Sequence, residues 1–157
     1  VYSLGGKYEK AIADFTEVIR LNPECIEAYG NRGHAHRQQG EYDKAIADFT
    51  EVLRLSPEDA IGYNSLAWLL ATCPDAELRD GQRAVTAATK ACELTEWQDG
   101  LVIDTLAAAH AEAGDFDEAV KWQEKVLSMA PEDQKEDSRA RLELYKSGEP
   151  YHETPKE

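Results

Sequence analysis

Lys10 to Glu24 reads KAIADFTEVIRLNPE, and 34 residues further on Lys44 to Glu58 reads KAIADFTEVLRLSPE. Two of the fifteen positions differ, and upstream Gly6 and Tyr8 match Gly40 and Tyr42 at the same offset. Self-similarity at a fixed period of this length marks a repeat architecture, in which each unit is one supersecondary element unable to bury its apolar face alone.

Within the second copy, Ala45, Ile46, Phe49, Val52 and Leu53 recur at the spacing of one helix face. Lys44, Asp48, Glu51 and Arg54 fall away from that stripe. The first copy repeats the stripe as Ala11, Ile12, Phe15, Val18 and Ile19. Asn22-Pro23 and Ser56-Pro57 place a capping side chain before a proline, the expected start of a following helix. Gly40 stands where a preceding helix ends in a left-handed residue. Each unit is therefore expected to be two antiparallel helices joined by tight turns.

The pattern continues with less identity. Tyr63, Leu66, Ala67 and Leu70 make a stripe on a helix ended by Pro74, and Ala84, Val85, Ala88, Ala91 and Cys92 make the next. Small residues there imply close helix approach. Ile103, Leu106 and Ala107, then Phe116, Ala119, Val120, Val126 and Leu127, outline a further pair around Gly114. The chain thus divides into a partial first repeat at 1–22, mainly its second helix, and a second repeat at 23–56. A third at 57–96 carries an inserted loop at 74–79. A fourth at 97–130, a polar capping helix at 131–147 and a loose, flexible tail at 148–157 follow. Val1 to Leu4 read as the last turn of a first helix, which leaves Lys7 to Leu21 without most of its partner. A fragment of a longer array is the expected cause.

The formal net charge of −14 is spread along the chain. Nucleic acid and anionic membrane are poor partners for such a surface, because phosphate neutralisation needs clustered cations. No 18-residue apolar run is present. Cys25, Cys73 and Cys92 form no CxxC and lie among apolar residues, so buried free thiols and a reducing compartment such as the cytoplasm are favoured.

Chemistry is hard to find. Leu4-Gly5-Gly6-Lys7 lacks the upstream glycine and the Ser or Thr of a phosphate-binding loop. His34 and His36, two apart on a helix, point to different sides and cannot share a metal. His36 is expected in the core and His34 on a groove. Asp115, Asp117 and Glu118 open a helix, where acids favour the positive dipole end. No nucleophile, base and orienter occur at motif spacing, so no enzyme, cofactor or metal is expected.

Tyr29, Gly33, Ala45, Phe49 and Pro57 carry the aromatic, glycine, Ala-Phe and proline positions of the tetratricopeptide repeat, a family that the chain resembles from about Val1 to Pro131. Arg32 replaces the usual Leu, and His36 the usual Tyr. Ala88 and Gln123 stand in the phenylalanine place of the later units. Asn64 to Cys92, containing SLAWLLATCPDAELRDGQRAV, resembles a subtype common in bacterial multi-repeat proteins. The resemblance implies an all-α, right-handed superhelix of stacked antiparallel hairpins that binds a protein or peptide partner.

In such a stack the first helix of each hairpin lines the concave side. The inner row is then Glu27, Asn31, His34, Arg37 and Gln38 on the second unit, and Asn64, Ser65 and Trp68 on the third. On the fourth it is Leu101, Asp104, Thr105, Ala108 and Glu112. An amide offers both donor and acceptor to a peptide backbone, an indole anchors an apolar side chain, and a guanidinium meets a carboxylate. The carboxylate clamp by which some family members hold chaperone tails is not expected, since only Asn31 and Arg37 have comparable groups. The alternative function is self-association, with the incomplete first hairpin packing on another copy as a homo-oligomer.

Overall fold

The computed structural model describes residues 4–155. Helix α1 spans Leu4–Leu21, α2 Ile26–Gln38, α3 Tyr42–Leu55 and α4 Ala60–Thr72. After them come α5 over Gly81–Leu94, α6 over Gly100–Glu112, α7 over Phe116–Met129 and α8 over Glu136–Lys146. Single 3-10 turns at Ala76–Leu78 and Glu132–Gln134 complete the regular structure, and the described residues contain no strand. Each helix packs on its successor, and α4 also packs on α6, so the hairpins α2/α3, α4/α5 and α6/α7 stack in order. The fold is an all-α, right-handed superhelix of stacked antiparallel hairpins.

The turns follow from residue chemistry. Gly40 and Gly114 have φ of 76° and 84°, the left-handed conformation that glycine adopts without steric cost. At both sites the next amide reaches back to close the helix: Glu41 N–H donates to His36 O at 2.9 Å, and Asp115 N–H to His110 O at 2.9 Å. Four helices start on an aspartate whose carboxylate accepts from the first turn. Asp59 takes Gly62 N–H at 2.8 Å, Asp80 takes Arg83 N–H at 3.1 Å, Asp99 takes Leu101 N–H at 2.9 Å and Asp115 takes Glu118 N–H at 3.3 Å.

Two local expectations change. Asn22 and Ser56 are not the N-caps of the following helices; α2 and α4 begin at Ile26 and Ala60, beyond the prolines, after Cys25 and Asp59. Cys25 N–H donates to Asn22 O and Asp59 N–H to Ser56 O, both at 3.2 Å. Pro23 and Pro57 therefore occupy the second position of a β-turn, whose φ the pyrrolidine ring fixes in advance. At the other end of α1, Gly5 and Gly6 do not break the chain between two helices but lie inside α1. An established hydrogen-bond ladder extends one residue at a time, and glycine lowers the gain by only about 1 kcal/mol per residue. Val1 to Ser3 lie outside the described residues, and with them most of the turn read at Val1 to Leu4.

The main core joins α3 to α6, with Phe49, Leu69, Leu70, Ile103 and Leu106 almost fully buried. Burying a phenylalanine such as Phe49 contributes roughly 1.5–3 kcal/mol. Along α5, Ala84, Ala87, Ala88, Ala91 and Cys92 are buried, and their small volume lets neighbouring backbones approach. Approach is closest at Gly81, where an added Cβ would lie 2.5 Å from Ala113 N. A second cluster places Tyr145 of α8 against Ala107, Ala111 and Ala119. Burial pushes the Cys92 thiol up to about 12, with the charges of Asp99 and Glu93 adding, and raises that of Cys73 as well; both stay protonated and unreactive at neutral pH.

Asp48 corrects the reading of α3. Placed off the apolar stripe, it is nevertheless buried, because Arg32 donates to both its oxygens, Nη2 at 2.7 Å and Nε at 2.9 Å. The arginine in a usual leucine position thus brings its own counter-charge from the facing helix.

Candidate functional site

The helices α2, α4 and α6 present one common face, and the segment following α8 crosses all three. Within 148–157, read as a loose, flexible tail, Tyr151, His152 and Glu153 are held by contacts to the helices, and residues 156–157 lie outside the described residues. Gly148, with φ of 75°, turns the chain away from α8. The Tyr151 ring then lies under the Arg141 guanidinium, 5.5 Å from its centroid, and 6.0 Å from the Trp68 ring. His152 Nε2 is 2.6 Å from Glu112 Oε2. Glu153 reaches furthest: its N–H donates to Thr72 O at 2.7 Å. Its Oε1 accepts from Arg37 Nη2 at 2.6 Å and from Trp68 Nε1 at 3.0 Å.

The inner-row residues therefore divide into three groups. Arg37, Trp68 and Glu112, from three successive hairpins, converge on this crossing segment. Glu112 is also held by Arg79 of the inserted loop, whose Nε donates to it at 2.9 Å while Nη1 donates to Cys73 O at 2.7 Å. Asn64 is half-buried beside them, and its Oδ1 accepts no hydrogen bond from the protein.

The second group stays open. Glu27, Asn31, His34 and Ser65 rim a hollow of about 370 Å³ between α2 and α4, floored by Phe49 and Val52. The His34 ring meets Phe49 edge-on at 4.9 Å. Partial burial of that ring, then the charge of Arg37, push its pKa below the ordinary value, so the imidazole is neutral at pH 7. Gln38 and Leu101 are exposed, Leu101 at 77 %.

The third group is a correction. Asp104, Thr105 and Ala108 offer almost no surface to a partner, at 7 %, 2 % and 1 % exposed; Asp104 only edges a separate hollow beside Leu101 and Arg141. Every residue of α6 from Val102 to Ala109 is buried, because α4, α5 and α7 all pack on this helix and α8 closes over Asp104. Arg141 of α8 donates to both Asp104 oxygens, Nη2 at 2.9 Å and Nε at 3.2 Å, and Gln123 Nε2 donates to Oδ1 at 2.8 Å. The glutamine in the phenylalanine place of α7 is thereby accounted for.

Sequence reasoning passed over Thr72, Tyr151, His152 and Glu153. The available signal was an aromatic and an acid, Tyr151 and Glu153, framed by Pro150 and Pro155, a composition that suits an extended segment. No cluster of three or more metal-ligating side chains occurs among the described residues. No helix among them is long and apolar enough to cross a membrane.

Models of the tetratricopeptide repeat match residues 1–25, 26–59 and 102–130, together more than half of the chain. Curated proteins give no match. Among solved structures, the chain is similar to the crystal structure of MamA protein, with a TM-score of 0.75 and 20 % identity over 91 % of this chain and 74 % of that one. The Arabidopsis OM64 TPR domain gives 0.66 and 21 % identity over 79 % and 96 %. The first TPR of Spaghetti (RPAP3), bound to the HSP90 peptide SRMEEVD, gives 0.66 and 20 % identity over 78 % and 90 %. At these identities the likeness is one of fold.

Proposed function

Because this chain belongs to the tetratricopeptide repeat family, we propose that it is a protein–protein interaction module whose inner wall takes up an extended segment of a partner protein. The observation that carries this reading is the convergence of Arg37 and Trp68, from successive hairpins, on one carboxylate of the non-helical segment that follows α8. A wall that fixes a backbone N–H, an aromatic ring and an acid together has the groups for peptide recognition. The Spaghetti domain, which holds a peptide on the same fold, supports it. Non-catalytic scaffolding is the general role of this fold, and no reaction is assigned to the chain.

Panning a random peptide library against the full chain tests the groove. Enriched peptides are expected to lose at least about tenfold in affinity on Arg37→Ala or Trp68→Ala, since interface aromatics and arginines carry a large share of binding energy. Helicity by circular dichroism should stay unchanged. No enrichment, or peptides indifferent to both substitutions, would reject the reading.

A second reading, self-association through α1, has one observation in its favour. Val18 and Leu21 are 40 % and 68 % exposed, whereas Val52, the counterpart of Val18, is 3 % exposed.

A further inference from the structure

We propose that residues 150–153 form a built-in strap that occupies the groove in place of a partner, and that the partner's segment carries the strap's own chemistry. That chemistry is an extended backbone with an aromatic side chain two residues before a carboxylate. The inference rests on the reading of the inner wall as a peptide groove and adds to it the ligand class and a competing occupant.

The strap separates into a part any peptide can supply and a part only some can. Thr72 O belongs to the last turn of α4, where helix carbonyls lack intrahelical partners, and it accepts the Glu153 N–H at 2.7 Å. Any extended backbone offers that donor. The aromatic seat between Trp68 and Arg141 and the acid seat between Arg37 and Trp68 are selective. Neighbouring cations do not compete for the acid, because Arg79 is engaged by Glu112 and Arg141 by Asp104. The ion partner of Arg37 is the strap itself.

The strap fits this seat incompletely. Both donors converge on Glu153 Oε1, while the buried Oε2 and the buried Arg37 Nε have no hydrogen-bond partner in the protein. A guanidinium fork can hold a carboxylate through two parallel bonds; here it uses one nitrogen. The strap leaves α8 at Lys146 and must reach Thr72 within seven residues, a tether that fixes the angle of its acid. Tethering raises its effective concentration and so keeps an imperfect ligand in place. A free segment can turn its carboxylate to use Nε and Nη2 together, and so displace the strap.

The probe is a fluorescein-labelled synthetic peptide of residues 148–157, GEPYHETPKE, titrated into the full chain and into a strap-disabled full chain carrying Tyr151→Ala and Glu153→Ala. Binding to the disabled chain should be at least about tenfold tighter than to the wild type, because the tethered competitor is gone. Adding Arg37→Ala to the disabled chain, or Glu153→Gln to the peptide, should abolish that gain. Hydrogen exchange of the Glu153 amide should be slow in the wild type without any ligand. Equal affinity for both chains, a gain indifferent to Arg37, or fast exchange at Glu153 would each overturn the proposal. So would a protection of Glu153 that appears only at concentrations where the mass doubles, since the strap would then belong to a second copy. Should the double variant fold poorly, Glu153→Gln in the chain alone gives the same comparison by removing one charge. Library peptides that need Arg37 or Trp68 but lack the aromatic and the acid would leave the groove standing and reject only the strap's chemistry.

Discussion

Asp14 and Asp48 hold the same place in two nearly identical segments, yet Asp14 is exposed and Asp48 is buried against Arg32. The environment, not the residue, decides what a carboxylate does. Asp104 makes the point on α6: read as a surface acid, it is enclosed by Arg141 and Gln123. Asp104→Ala would strand the buried Arg141 charge, a loss of about 3–5 kcal/mol when one member of a buried pair is removed. The midpoint of urea unfolding reads this directly, and a shift no larger than that of an exposed-site control such as Asp14→Ala would deny the pair its role. His110 gives a pH dependence. Burial lowers its pKa below the ordinary 6.5, with Lys121 adding to the drop and Asp115 and Glu118 opposing it. The unfolded histidine then binds a proton that the folded one refuses, so stability falls as pH drops below 6.5. Melting temperature followed between about pH 7.5 and about pH 5 should fall less steeply for His110→Gln than for the wild type. Equal slopes would remove His110 from the account.

At the scale of the element, turn glycines differ in what they are for. Gly40 and Gly114 supply a left-handed backbone. Gly81 instead makes room, because a Cβ there would meet Ala113 N at 2.5 Å and Glu112 C at 2.7 Å, backbone atoms with no rotamer to yield. Gly100, also the first residue of its helix, has nothing within 4 Å of that position. Gly81→Ala should therefore force α5 and the α6–α7 turn apart and cost about 1–3 kcal/mol, as overpacking does. Gly100→Ala should be neutral or stabilise by a few tenths, since alanine loses less backbone entropy, roughly 0.4–1 kcal/mol at best. Thermal melts of the two variants, side by side, decide whether close approach or helix propensity governs this end of the hairpin.

For the whole molecule, one consequence of stacking is an uneven burial of equal sequences. Phe49 is 1 % exposed and Ala45 fully buried, while Phe15 and Ala11 on α1 remain half-buried. If the uncovered α1 face joins copies, mass by light scattering should rise with concentration and Val18→Glu should return it to that of a monomer. A constant monomer mass at high concentration would end that reading. The net charge of −14 works against association at low salt, so added salt should favour any dimer that forms.

The sequence by itself determined the helical hairpins, their period and their family, because the spacing of side chains along one helix is covalent and already selects the face that must be buried. It also marked Arg37 and Trp68 as groups of the inner row. The tertiary structure decided which of that row remained reachable. Asp104, Thr105 and Ala108 were buried when α4, α5 and α7 packed on α6 and Arg141 of α8 paired with Asp104, and Arg37 and Trp68 received Glu153 when the chain folded back across them. Those pairings join residues 37 apart for Asp104 and Arg141, and 116 apart for Arg37 and Glu153. No local periodicity encodes such distances; they follow from the angles at which successive hairpins stack.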